Sequence, residues 1–170
     1  MIILSLGSNM SSKYGDRFDN LKLAISFFKS YEILVEKTSC FYETFSYPDK
    51  SNPKFINIIV LVKTKLSPEK LMSVLIKIEE KLGRKRNKKN DPRTCDIDII
   101  DYNNQVLDFK YKDLQLIIPH KHLSSRNFVL LPLQDVLPNW KHPKTGEFVS
   151  TLIQKLPEEE RKSILKIKKN

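Results

Sequence analysis

Two aspartates, Asp96 and Asp98, stand two residues apart in the run TCDIDIIDY. Because side chains alternate along a strand, this spacing puts both carboxylates on one face, roughly 6.6 Å apart along the backbone, with Cys95, Ile97 and Ile99 on the other. Two negative charges this close raise each other's pKa unless a cation lies between them. Hard divalent ions prefer oxygen ligands, so the pair is a candidate Mg²⁺ site. For the pair alone, the alternative is an exposed strand face with two solvated carboxylates.

Arginines near the acid pair favour the metal interpretation; they are Arg84, Arg86 and Arg93. A guanidinium group binds phosphate oxygens in a bidentate manner, so acids, metal and arginines together indicate a polyphosphate site. Such a site promotes phosphoryl transfer by positioning and electrostatics, without a covalent nucleophile. The sequence contains no GxxxxGK[ST] motif, and we interpret Gly7-Ser8-Asn9 as a turn after the first strand rather than a phosphate-binding loop.

The elements that must position these residues are predicted from periodicity, caps and turn residues. Apolar and β-branched runs predict strands over residues 2–6, 33–44 and 55–64, and the alternating run TCDIDIIDY predicts a fourth over residues 94–102. Apolar residues at helical spacing predict a helix that begins near Asp16 and a second from Pro68 to Gly83, with Ser67 as its N-cap. The order β-α-β-β-α-β predicts an α+β, ferredoxin-like fold, an antiparallel sheet with helices on one face. The other face is then left for ligands.

The C-terminal extension follows Tyr102. Short strands or turns are expected at residues 106–107, 115–118 and 128–133, because prolines interrupt the apolar runs there. We expect His122 and His142 to lie at the surface. Neither an internal repeat nor a linker is visible, so residues 1–170 are expected to form one domain.

Composition sets the broad class. With 40% hydrophobic and 29% charged residues, the chain has the composition of a soluble globular protein. Its two cysteines, Cys40 and Cys95, form no CxxC motif, and the N-terminal apolar run is too short for a signal peptide or membrane span. These features favour a cytoplasmic protein without a membrane partner. The net charge of +10 favours polyanionic partners, either nucleotides or nucleic acid, or else simply reflects solubility.

Several ordered motifs resemble the 6-hydroxymethyl-7,8-dihydropterin pyrophosphokinase family of folate biosynthesis. The segment DPRTCDIDII matches that family's PRTxDxD box at Pro92, Arg93, Thr94, Asp96 and Asp98. Further matches follow in order and approximate spacing: LSLGSN at the start, FYET at 41–44, FIN at 55–57, IEEKLGRKR at 78–86 and PHKHLSSRNFVLLPL at 119–133. The resemblance covers residues 2–146.

The resemblance implies a reaction and a phosphate site. In this family the pterin hydroxyl attacks the β-phosphorus of ATP, AMP leaves, and two Mg²⁺ ions are held by the aspartate pair. By motif position, the metal ligands would be Asp96 and Asp98, and the phosphate contacts would come from Arg84, Arg93, Arg126 and His120. Arg86 would help to close the basic loop. Glu79 matches a position near the nucleotide, and an ordinary salt bridge on the helix surface is equally compatible with it.

The resemblance also implies a pterin site. A flat polar heterocycle needs aromatic faces on both sides and hydrogen-bonding groups at its edge. Phe55 and Phe128 match the stacking positions, Asn57 suits the pterin edge, and the backbone near Thr44 would supply the remaining contacts. The substrates are therefore small molecules, and a monomer is expected.

Two polar loops, residues 46–54 and 85–92, are interpreted as lids that exclude water over the substrates. Both depart from the family pattern. Phe45-Ser46-Tyr47-Pro48 replaces a proline pair, an apolar residue and glycine, and Asn90-Asp91 stands where tryptophan and glycine are common. These differences would affect the contacts to the pterin edge and the closure of the basic loop.

Two other functions share part of this evidence. An RNA-binding module would suit a ferredoxin-like sheet and a basic chain, but it should show an aromatic-rich strand where this chain has Asp96 and Asp98. A two-metal phosphohydrolase would share the acids and arginines, yet it needs further carboxylate ligands, and no second acidic cluster has suitable spacing.

Overall fold

The computed structural model describes residues 1–46, 49–84, 91–111 and 114–167. Its strands are β1 (Ile2–Ser8), β2 (Leu34–Thr38), β3 (Phe41–Thr44), β4 (Phe55–Lys63), β5 (Asp96–Tyr102), β6 (Leu107–Tyr111), β7 (Leu114–Ile118) and β8 (Leu165–Ile167). Its helices are α1 (Arg17–Phe28), α2 (Pro68–Lys81), α3 (Asn127–Val136), α4 (Val149–Lys155) and α5 (Glu158–Lys162).

The main sheet has the order β5-β1-β4-β3-β8, with β2 also paired to β4, and every pairing is antiparallel. This topology confirms the predicted ferredoxin-like α+β class. The strand predicted over residues 33–44 is interrupted, because Ser39 exchanges hydrogen bonds with Ile59 through its backbone N–H and its own hydroxyl. β2 and β3 therefore follow one another along the same edge of β4. The strands expected near residues 106 and 115 form a separate hairpin, β6-β7.

Both predicted helices are present, and their caps explain where they begin. The Asp16 carboxylate accepts the N–H groups of Phe18 and Asp19 at the start of α1. Ser67 accepts the N–H of Lys70, and Pro68 occupies the first position of α2. Such caps satisfy backbone donors that the first helical turn leaves without a partner.

α1 and α2 pack on one face of the sheet around a cluster of fully buried side chains that includes Leu4, Leu6, Ile58, Val60, Ile97 and Ile99. Cys95 is also buried there, as the alternation in β5 predicts. The opposite side chains of the same strands consequently point to the second face.

The second face is only partly open, because α3 and α4 cover one end of it. Their apolar side chains pack on Ile3, Ile59, Leu61 and Ile100. The prediction of a strand or turn over residues 128–133 is wrong, because the whole segment lies within α3. Pro132 is inside this helix. Proline disfavours a helix interior, but burial of one apolar face of α3 on the sheet offsets that effect. In the described part of the chain, these two helices leave the other end of this face uncovered, and side chains at that end are partly exposed to solvent.

Two further features differ from expectation. His142 is buried, with its ring centroid 5.8 Å from that of Trp140, so its prediction as a surface residue is wrong; His122 is exposed as expected. The C-terminal segment adds β8 to the sheet beside β3. Within the described ranges, no helix is long and apolar enough to cross a membrane.

Candidate active site

The open end of the second face brings three neighbouring strands together. Gly7 of β1 lies between Asp96 of β5 and Asn57 of β4, and Ser5 lies opposite Asp98. The carboxylates therefore lie on one side of Gly7, and Asn57, which is matched to a pterin contact, lies on the other. The predicted turn at Gly7-Ser8 is wrong, because both residues pair with β4 inside β1.

Gly7 is a site residue that the sequence interpretation missed. A Cβ atom at this position would stand 3.2 Å from Asn57 Oδ1 and 3.5 Å from Phe55 Cδ1. The absence of a side chain therefore lets Asn57 and Phe55 lean over β1. A glycine at the end of an apolar strand run was the available signal, since glycine in a strand often marks a close approach.

The acid pair is present on one face, as predicted, and each acid contacts arginine. Asp96 accepts hydrogen bonds from Arg84 and, at 2.8 Å, from Arg93. Arg126 donates to Asp98 at 3.3 Å from a position 28 residues along the chain. The three arginines matched to phosphate contacts thus lie at the acid pair, where charge attraction holds them.

Asp98 carries an unfavourable charge at this site. Burial raises its pKa to about 6, and the repulsion of Asp96 adds to this, while Arg126, Arg84 and Arg93 oppose the rise. An additional cation beside Asp98 would relieve this cost. The side chain nevertheless keeps 36% of its surface exposed, so an incoming ion can reach it.

The donor set fits Mg²⁺ held in part by the substrate. Among the residues with described positions, no group of three or more His, Cys, Asp or Glu side chains surrounds a common point. Within this described part of the chain, the candidate ligands are therefore the two carboxylates of Asp96 and Asp98. Mg²⁺ is commonly bound in this way, through one or two carboxylates with phosphate oxygens and water completing the octahedron.

Glu79 lies behind this cluster rather than at its surface. Its side chain is 2% exposed, forms an ion pair with Arg84 and accepts the N–H of Ile97 at 2.7 Å. One carboxylate thereby joins the end of α2 to the start of β5 and orients Arg84. The interpretation of Glu79 as a surface salt bridge is wrong, because the ion pair is buried.

His120 follows β7 and stands close to the charged cluster. Its backbone N–H donates to Ile100 O, and its Nδ1 accepts the N–H of His122 at 3.2 Å. Burial lowers the pKa of His120 to about 4, and the positive charge of Arg126 acts in the same direction. The imidazole is therefore neutral near pH 7 and carries its proton on Nε2.

The residues matched to pterin contacts lie beside the arginines. Asn57 Nδ2 donates to Thr44 Oγ1 at 3.0 Å, and both residues are buried. The guanidinium carbon of Arg93 lies 5.6 Å from the centre of the Phe55 ring, and that of Arg126 lies 5.4 Å from the Phe128 ring. Each of these arginines thus joins one carboxylate to one aromatic ring, which places the two halves of the predicted site next to each other.

Parts of the predicted site lie outside the described residues. Arg86 and the rest of segment 85–90 belong to these parts, as do Tyr47 and Pro48. The interpretation of loops 46–54 and 85–92 as lids therefore stays a prediction.

Comparison with known proteins identifies the family. The model of the 7,8-dihydro-6-hydroxymethylpterin-pyrophosphokinase family matches residues 3–138. The chain belongs to this family. A 2-amino-4-hydroxy-6-hydroxymethyldihydropteridine pyrophosphokinase from Synechocystis is 35% identical over 155 residues, 91% of this chain and 75% of the relative. α4, α5 and β8 lie beyond the region matched by the pyrophosphokinase family model.

Some relatives of this pyrophosphokinase family member are much longer. A folate synthesis bifunctional protein from Arabidopsis thaliana is 39% identical over 137 residues, which cover 80% of this chain but only 27% of that protein. The crystal structure of wild-type Plasmodium falciparum HPPK-DHPS superimposes with a TM-score of 0.71 and 20% identity over 91% of this chain and 44% of that one. At this identity the superposition supports the fold alone.

Proposed function

We propose that this chain transfers the diphosphoryl group of Mg-ATP to the hydroxyl of 6-hydroxymethyl-7,8-dihydropterin, releasing AMP. One observation carries the proposal. The Asp96 and Asp98 pair and its arginines adjoin Asn57 and Phe55 on one open end of the sheet. A site for a triphosphate with its metal and a site for a planar heterocycle are therefore neighbours, as a direct transfer between two bound substrates requires.

On the phosphate side, Asp96 and Asp98 would hold two Mg²⁺ ions, which would supply positive charge beside the triphosphate of ATP. Arg84, Arg93 and Arg126 would exchange their carboxylate partners for phosphate oxygens, because the metal neutralises the carboxylates. The exchange needs little movement, since these side chains already meet at the acid pair.

His120 and Glu79 would support the phosphate contacts in different ways. The neutral His120 offers an Nε2–H donor, which can bind a phosphate oxygen without a change of protonation. Glu79 keeps Arg84 in place through a buried ion pair. Arg86 is retained in the proposal as a residue of the closing basic loop.

On the pterin side, Phe55 and Phe128 would stack on the two faces of the heterocycle after Arg93 and Arg126 move to the phosphates. Asn57 Nδ2 donates to Thr44 Oγ1, so Asn57 Oδ1 is the acceptor for an N–H at the pterin edge. Thr44 also contributes its backbone at the end of β3. These contacts would hold the hydroxymethyl group toward the β-phosphorus.

We further propose that residues 1–170 act as one domain, as a monomer in the cytoplasm. Two hydrophobic clusters on the two faces of one sheet support a single folding unit. Both cysteines are free thiols, which suits a reducing compartment.

The test measures nucleotide products from Mg-ATP with and without 6-hydroxymethyl-7,8-dihydropterin. AMP and the pterin diphosphate should form in equal amounts, and only when the pterin is present. Asp96→Asn should abolish AMP formation, whereas Asp108→Asn, the same change at an exposed position of β6, should leave it intact. AMP formation that ignores the pterin would indicate a phosphohydrolase instead. RNA binding is disfavoured because α3 and α4 cover much of the sheet face that RNA would need.

A further inference from the structure

Asn9, the first residue after β1, is hydrogen-bonded to two separate parts of the site. Its side chain is almost fully buried, and the residue is 2% exposed. Oδ1 accepts the N–H of Arg93 at 2.7 Å, whereas Nδ2 donates to Pro53 O at 3.1 Å and to Ser46 Oγ at 3.3 Å. One amide group therefore bridges segments that lie 37 to 84 residues away in sequence.

The two segments serve different substrates in the proposed reaction. Arg93 binds Asp96 with its guanidinium group and belongs to the phosphate half. Ser46 follows β3, which ends at Thr44, and Pro53 precedes Phe55 at the start of β4, so both flank the pterin half. β1 pairs with both β5 and β4 and so also joins the two halves, and Asn9 adds a side-chain link between the segments that precede those two strands.

A buried amide that is hydrogen-bonded to two segments makes the position of one segment depend on the position of the other. If the pterin orders the segment around Pro53, Asn9 is held in the orientation that accepts from Arg93, and the reverse holds when ATP orders Arg93. Each substrate then binds to a segment that the other substrate has already positioned. The gain in binding free energy that results is a coupling free energy between the two sites.

We propose that Asn9 is a positioning residue that couples the pterin and ATP sites, so that each substrate binds more tightly when the other is bound. This inference rests on the proposed function. A residue that merely stabilised the fold would weaken both substrates alike and leave unchanged the ratio of each substrate's Kd alone to its Kd with the other substrate bound.

The test measures this ratio by titration calorimetry. The ligands are 6-hydroxymethylpterin and α,β-methylene-ATP with Mg²⁺, because the methylene bridge prevents release of AMP. The coupling factor is the Kd of one ligand alone divided by its Kd with the other at saturation, and it must be the same in both directions. A factor of about 5 to 150 is expected for the unmodified chain. Asn9→Ala should lower the coupling factor about tenfold. If the factor of the unmodified chain is about ten or less, the variant should have a factor of one.

Asn20 provides a matched control. It is a fully buried asparagine whose Nδ2 donates to Met10 O at 2.9 Å and whose Oδ1 accepts from Ser12, so its bonds stay within the segment after β1. Asn20→Ala should lower the unfolding midpoint without changing the coupling factor. Asn9→Asp is a second variant, because it keeps the acceptor for Arg93 and replaces the donor to Pro53 by a carboxylate. It should also reduce coupling while binding of the ATP analogue alone persists.

The outcomes separate the two proposals. If the unmodified chain forms AMP with the pterin but its coupling factor is one, or if folded Asn9 variants keep its full factor, the role of Asn9 is overturned and the proposed function stands. If the chain neither binds the pterin nor forms AMP with it, both proposals fail. A coupling factor lost in the Asn9 variants and kept in Asn20→Ala supports the inference.

Discussion

Replacement of Asp98 by asparagine should abolish activity while making the folded protein slightly more stable at neutral pH. Asp98 is ionised at pH 7 although its pKa is raised to about 6 by burial and by the repulsion of Asp96. The neutral amide has nearly the same shape and removes this unfavourable charge. It also removes the negative charge of a ligand of the proposed metal, so turnover should fall about a hundredfold or more.

The size of the stability change follows from the pKa. A rise from 3.8 to about 6 corresponds to an upper limit of about 3 kcal/mol at pH 7, which solvent screening of a side chain 36% exposed reduces to about 1 kcal/mol. The folded protein holds the proton more tightly than the unfolded chain, so this group lowers stability as pH rises from 4 to 6. Below pH 4 both states are protonated, and the difference between variant and parent should vanish.

The assay combines urea unfolding near pH 4 and pH 7 with AMP formation at pH 7. Asp101→Asn is the control on the same strand. Asp101 is fully buried and accepts one hydrogen bond on each oxygen, from Trp140 Nε1 and from the N–H of Asn104, both at 2.9 Å. Burial also raises the pKa of Asp101, but asparagine offers only one acceptor oxygen and turns an NH2 group toward the second donor, which outweighs the relief of the charge. This variant should therefore lose on the order of 1 kcal/mol and keep its activity per folded molecule.

A reversed pattern would refute the reasoning. If Asp98→Asn unfolds more readily than the parent at pH 7 and its remaining folded fraction is active, Asp98 has a structural role. If its stability advantage is the same at pH 4 and pH 7, the raised pKa is not the cause.

Three further predictions test individual residues. Gly7→Ala places a Cβ 3.2 Å from Asn57 Oδ1 and should displace the Asn57 side chain. Calorimetry should then show about tenfold weaker pterin binding with little change in binding of the ATP analogue. Equal weakening for both ligands would contradict a role of Gly7 on the pterin side. The pKa of His120 is about 4 in the folded protein against 6.5 in the unfolded chain, so between pH 7 and pH 5 only the unfolded chain gains a proton. Lowering the pH from 7 to 5 should therefore destabilise the parent by about 2 kcal/mol more than His120→Gln in urea titrations. Parallel stability profiles of the two proteins would reject the neutral imidazole. Glu79→Gln should lower the free energy of unfolding by about 2 kcal/mol, because Arg84 and the N–H of Ile97 lose a charged acceptor. If the free energy of unfolding is unchanged and nucleotide binding is weaker, Glu79 is a nucleotide contact instead.

The fold was predictable where local rules decide it. The helices α1 and α2 begin at capping residues and each carries apolar residues along one face, which packs on the sheet, and both are confirmed. α3 was missed because Pro132 is normally a helix breaker. Its helical state depends on packing against the second face of the sheet, which no local pattern reports.

The candidate site divides in the same way. The acid pair was visible in sequence because alternation along a strand places Asp96 and Asp98 on one face whatever the rest of the chain does. The contact of Arg126 with Asp98 and the bridging position of Asn9 were not visible, since each depends on segments that are distant along the chain.

The sequence by itself determined the residue types, the alternation in β5, the helix caps and the motifs that identify the family. Only the tertiary structure decided that Gly7 makes room for Asn57, that Glu79 is buried behind Arg84, and that one end of the sheet stays open. The physical reason is that caps and alternation are set by a few neighbouring backbone angles. Contacts across the site depend instead on strand register and on which apolar surfaces bury one another.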